Sequence, residues 1–182
     1  MSGAAPVERF SHGLSAVLAA VSRAALLASG AALVAMTAVV AWGVFGRFVL
    51  NDTPAWAEAS ALLLLGWVVL GAAAVGVREG FHMGFGSLRD ALPAPLARAF
   101  DVASDAVVTA FGLAMLWYAT ELAWTVWNAT LPTLGLPGAV EYAPLALGGL
   151  LIALFGAERL LSHLVTGRAP AGVPEQTVLT DA

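Results

Sequence analysis

Between Glu58 and Arg78 the chain runs for 19 residues without a charge, from Ala59 through the Leu62–Leu65 cluster to Val77. At 1.5 Å per residue, a helix of that length covers roughly 30 Å, the thickness of a bilayer's hydrocarbon core. Inside that core there is no water to satisfy backbone N–H and C=O groups, so a segment of this kind must be a helix or part of a closed barrel. The run has no period-two alternation, which removes the barrel. This one feature confines the chain to helical membrane proteins.

Three further stretches have the same character. Residues 24–46 carry no charge between Arg23 and Arg47. Residues 102–127 are interrupted only by Asp105 and Glu121, and residues 143–164 only by Glu158, Arg159 and His163 near their end. The expected fold is therefore an all-α membrane protein of four transmembrane helices. Composition agrees, with 60% apolar and 11% charged residues and a mean hydropathy of +0.86. A soluble domain carries about 25% charge, so most of this surface faces lipid or apolar protein. There is no cysteine, which excludes disulfides, thiolate metal sites and thiol nucleophiles.

Arginine placement sets an orientation. All eight basic residues are Arg, and a cytoplasmic N-terminus puts seven of them inside and only Arg47 outside. That asymmetry is the positive-inside pattern, and it predicts that both termini are cytoplasmic. Residues 1–23 form an N-terminal cytoplasmic and interfacial segment, 24–165 the four-helix domain, and 166–182 a flexible cytoplasmic tail. Within the first segment, Phe10, Leu14, Val17, Leu18 and Val21 share one face, which predicts an interfacial helix over 7–22. A cleaved signal peptide fits less well, because its apolar region is shorter than the 23 residues found after Arg23. Residues 92–100, with their two prolines, suggest a short cytoplasmic surface helix between helices two and three. Trp117, Tyr118, Trp124 and Trp127 gather towards the outer end of helix three, as an interfacial aromatic belt does.

Few residues are candidates for chemistry. Glu121 lies inside helix three, and an ionisable group within a membrane helix marks a functional site by default. A structural or subunit-contact role competes with that reading, since Glu121 is a turn from Trp117 and Trp124 near the outer interface. Asp101 and Asp105 share a helix face, where they read as negative charge at a helix N-terminus favoured by the macrodipole. His12, His82 and His163 lie outside the span interiors, so haem or metal ligation has no basis, and no cofactor is expected. No nucleophile–base pair, phosphate loop or basic nucleic-acid patch is present, which leaves an enzymatic reading without residues. Arg47 and Glu58, at the ends of adjacent antiparallel helices, are placed to tie the outer hairpin shut. Ala72, Gly76, Gly80 and Gly84 recur every four residues, as do Gly149, Ala153 and Ala157, giving smooth stripes for close helix packing.

These features in order resemble a known family. The stretch Gly46-Arg47-Phe48-Val49-Leu50-Asn51-Asp52-Thr53-Pro54-Ala55-Trp56-Ala57-Glu58 leads into the apolar span, which exits through Arg78-Glu79-Gly80-Phe81-His82-Met83-Gly84. Leu131-Pro132-Thr133-Leu134-Gly135-Leu136-Pro137 precedes Glu141, Tyr142 and Pro144. Together they resemble the small, DctQ-like membrane subunit of tripartite ATP-independent periplasmic (TRAP) transporters over residues 20–165. The chain departs from that pattern at Ala59, Leu62 and Gly86, where the family often carries Glu, Arg and Asp, so contacts made there by relatives do not transfer.

The resemblance implies a non-catalytic scaffold subunit in the bacterial inner membrane. Its partners would be a large multi-span transport subunit, driven by a sodium gradient, and a periplasmic binding protein that delivers an organic acid. Candidate interface residues are Arg47, Asn51, Trp56, Glu58, Ala72, Gly76, Arg78, Gly80, His82 and Gly84. Candidate docking-loop residues are Leu131, Pro132, Gly135, Pro137 and Glu141. The alternative is a small stand-alone, proton-coupled transporter that works as a homodimer through Glu121.

Overall fold

The structure is a computed structural model that describes residues 4–52, 54–79 and 93–165. Regular structure among these residues is helical: α1 (Ala4–Phe48), α2 (Ala55–Glu79), α3 (Ala94–Thr125) and α4 (Ala139–Val165). Each contains a stretch long and apolar enough to cross a membrane. The four-helix membrane architecture expected from the sequence is the one observed.

Two boundaries differ from expectation. The segment anticipated as a separate interfacial helix is continuous with the first span, in one 45-residue helix. Arg23 does not interrupt it, because one exposed arginine leaves the backbone hydrogen-bond ladder intact and Ala and Leu around it favour helix. Leu18 and Ser22, on the N-terminal side of Arg23, are buried in the bundle. Similarly, residues 94–100 are the first turns of α3 rather than a distinct surface helix. Pro93 and Pro95 sit at the start of that helix, where a missing N–H costs nothing, and Leu96 and Ala97 donate to the Pro93 carbonyl at 2.9 and 3.0 Å. Residues 80–92 lie outside the described segments.

The α1–α2 hairpin is closed by local geometry. Asn51 takes a left-handed φ of 54°, and the Asp52 N–H donates to Gly46 O at 3.0 Å. A Cβ on Gly46 would sit 2.9 Å from Asp52 O and 3.0 Å from the Pro54 ring, so this close approach needs glycine. The loop between α3 and α4 is folded back on itself. Leu131 N–H donates to Leu136 O at 2.8 Å, Gly138 N–H to Ala129 O at 2.6 Å, and Gly135 turns the tip with φ 65°.

The helices pack in the spatial order α1, α2, α4, α3. Both α2 and α4 are flanked on two sides, but α4 is the more deeply packed, with 44% of its most apolar window buried against 11% in each of the others. Small residues bring α3 and α4 together. A Cβ on Gly149 would lie 2.7 Å from Leu116 N, and one on Gly156 would lie 2.6 Å from the Thr109 hydroxyl. With lipid as apolar as any side chain, close backbone approach of this kind supplies the van der Waals contact that holds membrane helices together. The central cluster is Leu18, Ala74, Ile152 and Phe155, joined by Val21, Val77, Val108, Met115 and Leu151. Most other large apolar side chains point outward, as lipid-facing residues do.

Candidate functional site

Charged side chains are gathered in one layer near the end of the bundle where α2 and α4 finish. Arg78, in the last turn of α2, donates from Nε to Glu158 Oε2 on α4 at 3.3 Å and from Nη2 to the Ser15 carbonyl on α1 at 3.2 Å. Its guanidinium carbon also lies 5.9 Å from the centre of the Phe155 ring, a cation–π distance. Beside this pair, Arg159, the next residue of α4, donates to Asp105 Oδ1 on α3 at 3.1 Å and to the Val77 carbonyl on α2 at 3.3 Å. His163 Nδ1 is 2.6 Å from Asp105 Oδ2. The Asp105 carboxylate accepts this bond from Nδ1–H of the His163 ring. Arg98 completes the layer by donating to the His163 carbonyl at 3.2 Å.

The layer joins all four helices, and apart from the exposed Arg98 its side chains are withdrawn from solvent. The Asp105 and Glu158 side chains are 3% and 7% exposed. Charges buried so far are tolerated only when paired and hydrogen-bonded. Asp105 meets this fully, receiving a cationic or N–H donor on each oxygen. Three arginines each bind a backbone carbonyl on a neighbouring helix, and for Val77 and His163 those carbonyls lie near helix C-termini, where a cation is favoured.

Asp105 had been expected at a helix N-terminus. The earlier start of α3 places it in the fourth turn, and its charge is held by Arg159 and His163 instead. None of these contacts was foreseen, since the partners are 54 to 82 residues apart in sequence. One signal was available: Arg78, Asp105 and the Glu158-Arg159 pair all fall at the same end of their spans once helices alternate in direction.

The opposite end is built differently. Among the described residues Arg47, Glu58, Glu121 and Glu141 form no ion pair, so the expected Arg47–Glu58 tie is not made. The hairpin is closed by backbone contacts instead. Glu121 is exposed on α3 between Trp117 and Trp124, themselves 72% and 81% exposed, and not in a cavity. At this end a recess of about 150 Å³ separates α2, the α3–α4 loop and the start of α4. Ala59, Leu62, Leu63 and Gly66 line it from α2, and Leu131, Leu134 and Glu141 from the other side.

The remaining candidates are distributed over the surface. Arg47, Asn51, Trp56 and Glu58 are exposed around the hairpin tip, and Pro132, Gly135 and Pro137 at the tip of the α3–α4 loop. Ala72 is exposed, and a Cβ on Gly76 would meet nothing within 4 Å. Among the described residues nothing packs against the Ala72–Gly76 side of α2, while Ala74 and Val75 between them face the bundle. Arg78 is turned inward to Glu158 and Ser15. Gly80, His82 and Gly84 lie outside the described residues. The small residues of α4 are used internally, Gly149 and Ala153 being pressed against Gly112 of α3.

Comparison with known proteins decides the family. The family described as "Tripartite ATP-independent periplasmic transporters, DctQ component" matches residues 36–166. The chain belongs to this family. The DctQ component is a part of a transporter, and the matched region takes in the last turns of α1 and all of α2, α3 and α4. The chain is also similar to the C4-dicarboxylate TRAP transporter small permease protein DctQ of Vibrio cholerae serotype O1, at 32% identity over 98 residues. That alignment covers 50% of this chain and 42% of the relative, so it spans less than half the relative's length. The ionic layer and the uncovered face of α2 both fall within the region matched to the DctQ family.

Proposed function

We propose that this chain is the fixed scaffold subunit of a sodium-driven, binding-protein-dependent importer of organic acids, working with a large transport subunit in the inner membrane, both of its termini facing the cytoplasm. The observation that carries the reading is the match to the DctQ component over residues 36–166. The chemistry of the chain supports a scaffold role. Its buried charges are bonded to one another and to backbone carbonyls across helices, an arrangement suited to holding a shape. A transport pathway needs ionisable groups facing a water-filled cavity, and Glu121, the deepest carboxylate singled out in the sequence, faces outward.

The uncovered Ala72–Gly76 side of α2 is the surface for the large subunit. The exposed hairpin tip around Trp56 and Glu58, with the backbone-braced loop at 131–137, is the surface for the periplasmic binding protein. The Vibrio relative's name points to four-carbon dicarboxylates as the first substrates to try.

Deletion of the chain in its native host, with the large subunit still expressed, is expected to abolish sodium-dependent organic-acid uptake, and affinity purification is expected to recover the large subunit with it. Undiminished uptake in the deletion strain would overturn the proposal.

A further inference from the structure

We propose that the recess between α2, the α3–α4 loop and the start of α4 is a lipid site, which takes one acyl chain of phosphatidylethanolamine and sets its ammonium group against Glu141. Three observations carry this.

The first is position. Ala59, Leu62, Leu63 and Gly66 occupy the first turns of α2, a span helix, and the far wall comes from Leu131, Leu134 and the first turns of α4. Ala59 to Gly66 covers roughly 10 Å along the helix axis, so the recess descends from the membrane surface into hydrocarbon. Trp124 and Trp127, whose rings stand 6.4 Å apart and point outward, mark the headgroup level at this end. The matter next to such a recess is the bilayer.

The second is size and lining. A volume of about 150 Å³ walled by aliphatic side chains is what a dry, benzene-sized apolar group fills. It admits a length of acyl chain and is too small for a headgroup. The recess is also rigid. A Cβ added to Gly66 would sit 3.3 Å from the Pro144 ring, so α2 and α4 approach closely at the floor, and backbone hydrogen bonds at Leu131 and Gly135 brace the loop wall.

The third is charge. Among the polar groups of the lining, Glu141 alone is ionisable. It is exposed, stands in the first turn of α4, and forms no ion pair among the described residues. A carboxylate at the mouth of an apolar slot selects a headgroup with an N–H donor and repels one with net negative charge. Phosphatidylethanolamine satisfies both parts, and phosphatidylglycerol, an anion with no nitrogen in its headgroup, fails both.

The test uses the full chain in nanodiscs of equimolar phosphatidylethanolamine and phosphatidylglycerol with identical acyl chains, followed by native mass spectrometry of the lipids retained. One phosphatidylethanolamine should be retained in preference to phosphatidylglycerol by roughly two- to fivefold, the range that a solvent-exposed ion pair supplies. Glu141→Gln should remove the preference while leaving a lipid bound. Ala59→Phe, which fills the slot, should remove the bound lipid, with helicity by circular dichroism unchanged from the parent. Equal retention of both lipids by the parent protein, or a preference that survives Glu141→Gln, overturns the headgroup assignment. Retention undiminished by a folded Ala59→Phe overturns the recess as the site. All arms use the chain alone, so the outcome does not depend on its role in transport.

Discussion

At the scale of single residues, Asp105 is the carboxylate with a partner on each oxygen. It receives Arg159 on one oxygen and His163 on the other, and it is almost fully withdrawn from solvent. Removing Asp105 leaves the Arg159 guanidinium inside the bundle without its carboxylate, and breaking a buried ion pair in this way costs about 3–5 kcal/mol. Asp105→Ala is therefore expected to lower the unfolding midpoint in mild detergent sharply. Asp105→Asn, which keeps an acceptor but not the charge, should fall between it and the parent. An unchanged midpoint for Asp105→Ala would show that the ionic layer does not hold the helices. Glu121 is the contrast. Its position in the sequence marks it as the deep carboxylate, yet it is exposed, and burial of a charge cannot be read from its distance to the end of an apolar run.

Among elements, the two small-residue stripes have opposite fates. The α4 stripe is spent inside the chain: a side chain on Gly149 would collide with α3 backbone at Leu116. Gly149→Leu should thus separate α3 from α4, with an overpacking penalty of about 1–3 kcal/mol read as reduced yield and a lower unfolding midpoint. The α2 stripe is open at Gly76. Gly76→Leu should leave the isolated chain as stable as the parent and reduce copurification of the large subunit. Equal copurification would remove this face of α2 from the proposed interface. The same spacing of small residues occurs in both helices, so periodicity identified two smooth surfaces without saying which was already covered. Helix boundaries were blurred for a related reason. A continuous backbone ladder carries α1 past Arg23 and lets α3 begin before its apolar run, because local hydrogen bonding, not hydropathy, ends a helix.

For the whole molecule, the two ends are held by different physics. One end is clamped by arginines that bind carboxylates and carbonyls on neighbouring helices, the other by backbone hydrogen bonds in two tight turns. If the clamped end is the cytoplasmic one, as the arginine count predicts, a fluorescent-protein fusion at the C-terminus should fluoresce in cells, and a C-terminal alkaline phosphatase fusion should be inactive. The reverse pair of signals would invert the topology and move the hairpin tip and the 131–137 loop away from any periplasmic partner.

What the sequence determined by itself is the class of structure and the family: four predominantly apolar lengths of 30 Å or more permit only membrane helices, and the ordered motifs at the hairpin and the outer loop point to the DctQ component. Both are local properties, legible along the chain because hydrophobic length and turn chemistry act over neighbouring residues. Which residues meet was decided only by the tertiary structure. The Arg78–Glu158 and Asp105–Arg159–His163 contacts, the pressing of Gly149 against α3 and the opening of the recess beside Glu141 join positions far apart in sequence. They follow from the order α1, α2, α4, α3 in which the helices pack, and that order depends on the fit of helix surfaces across space.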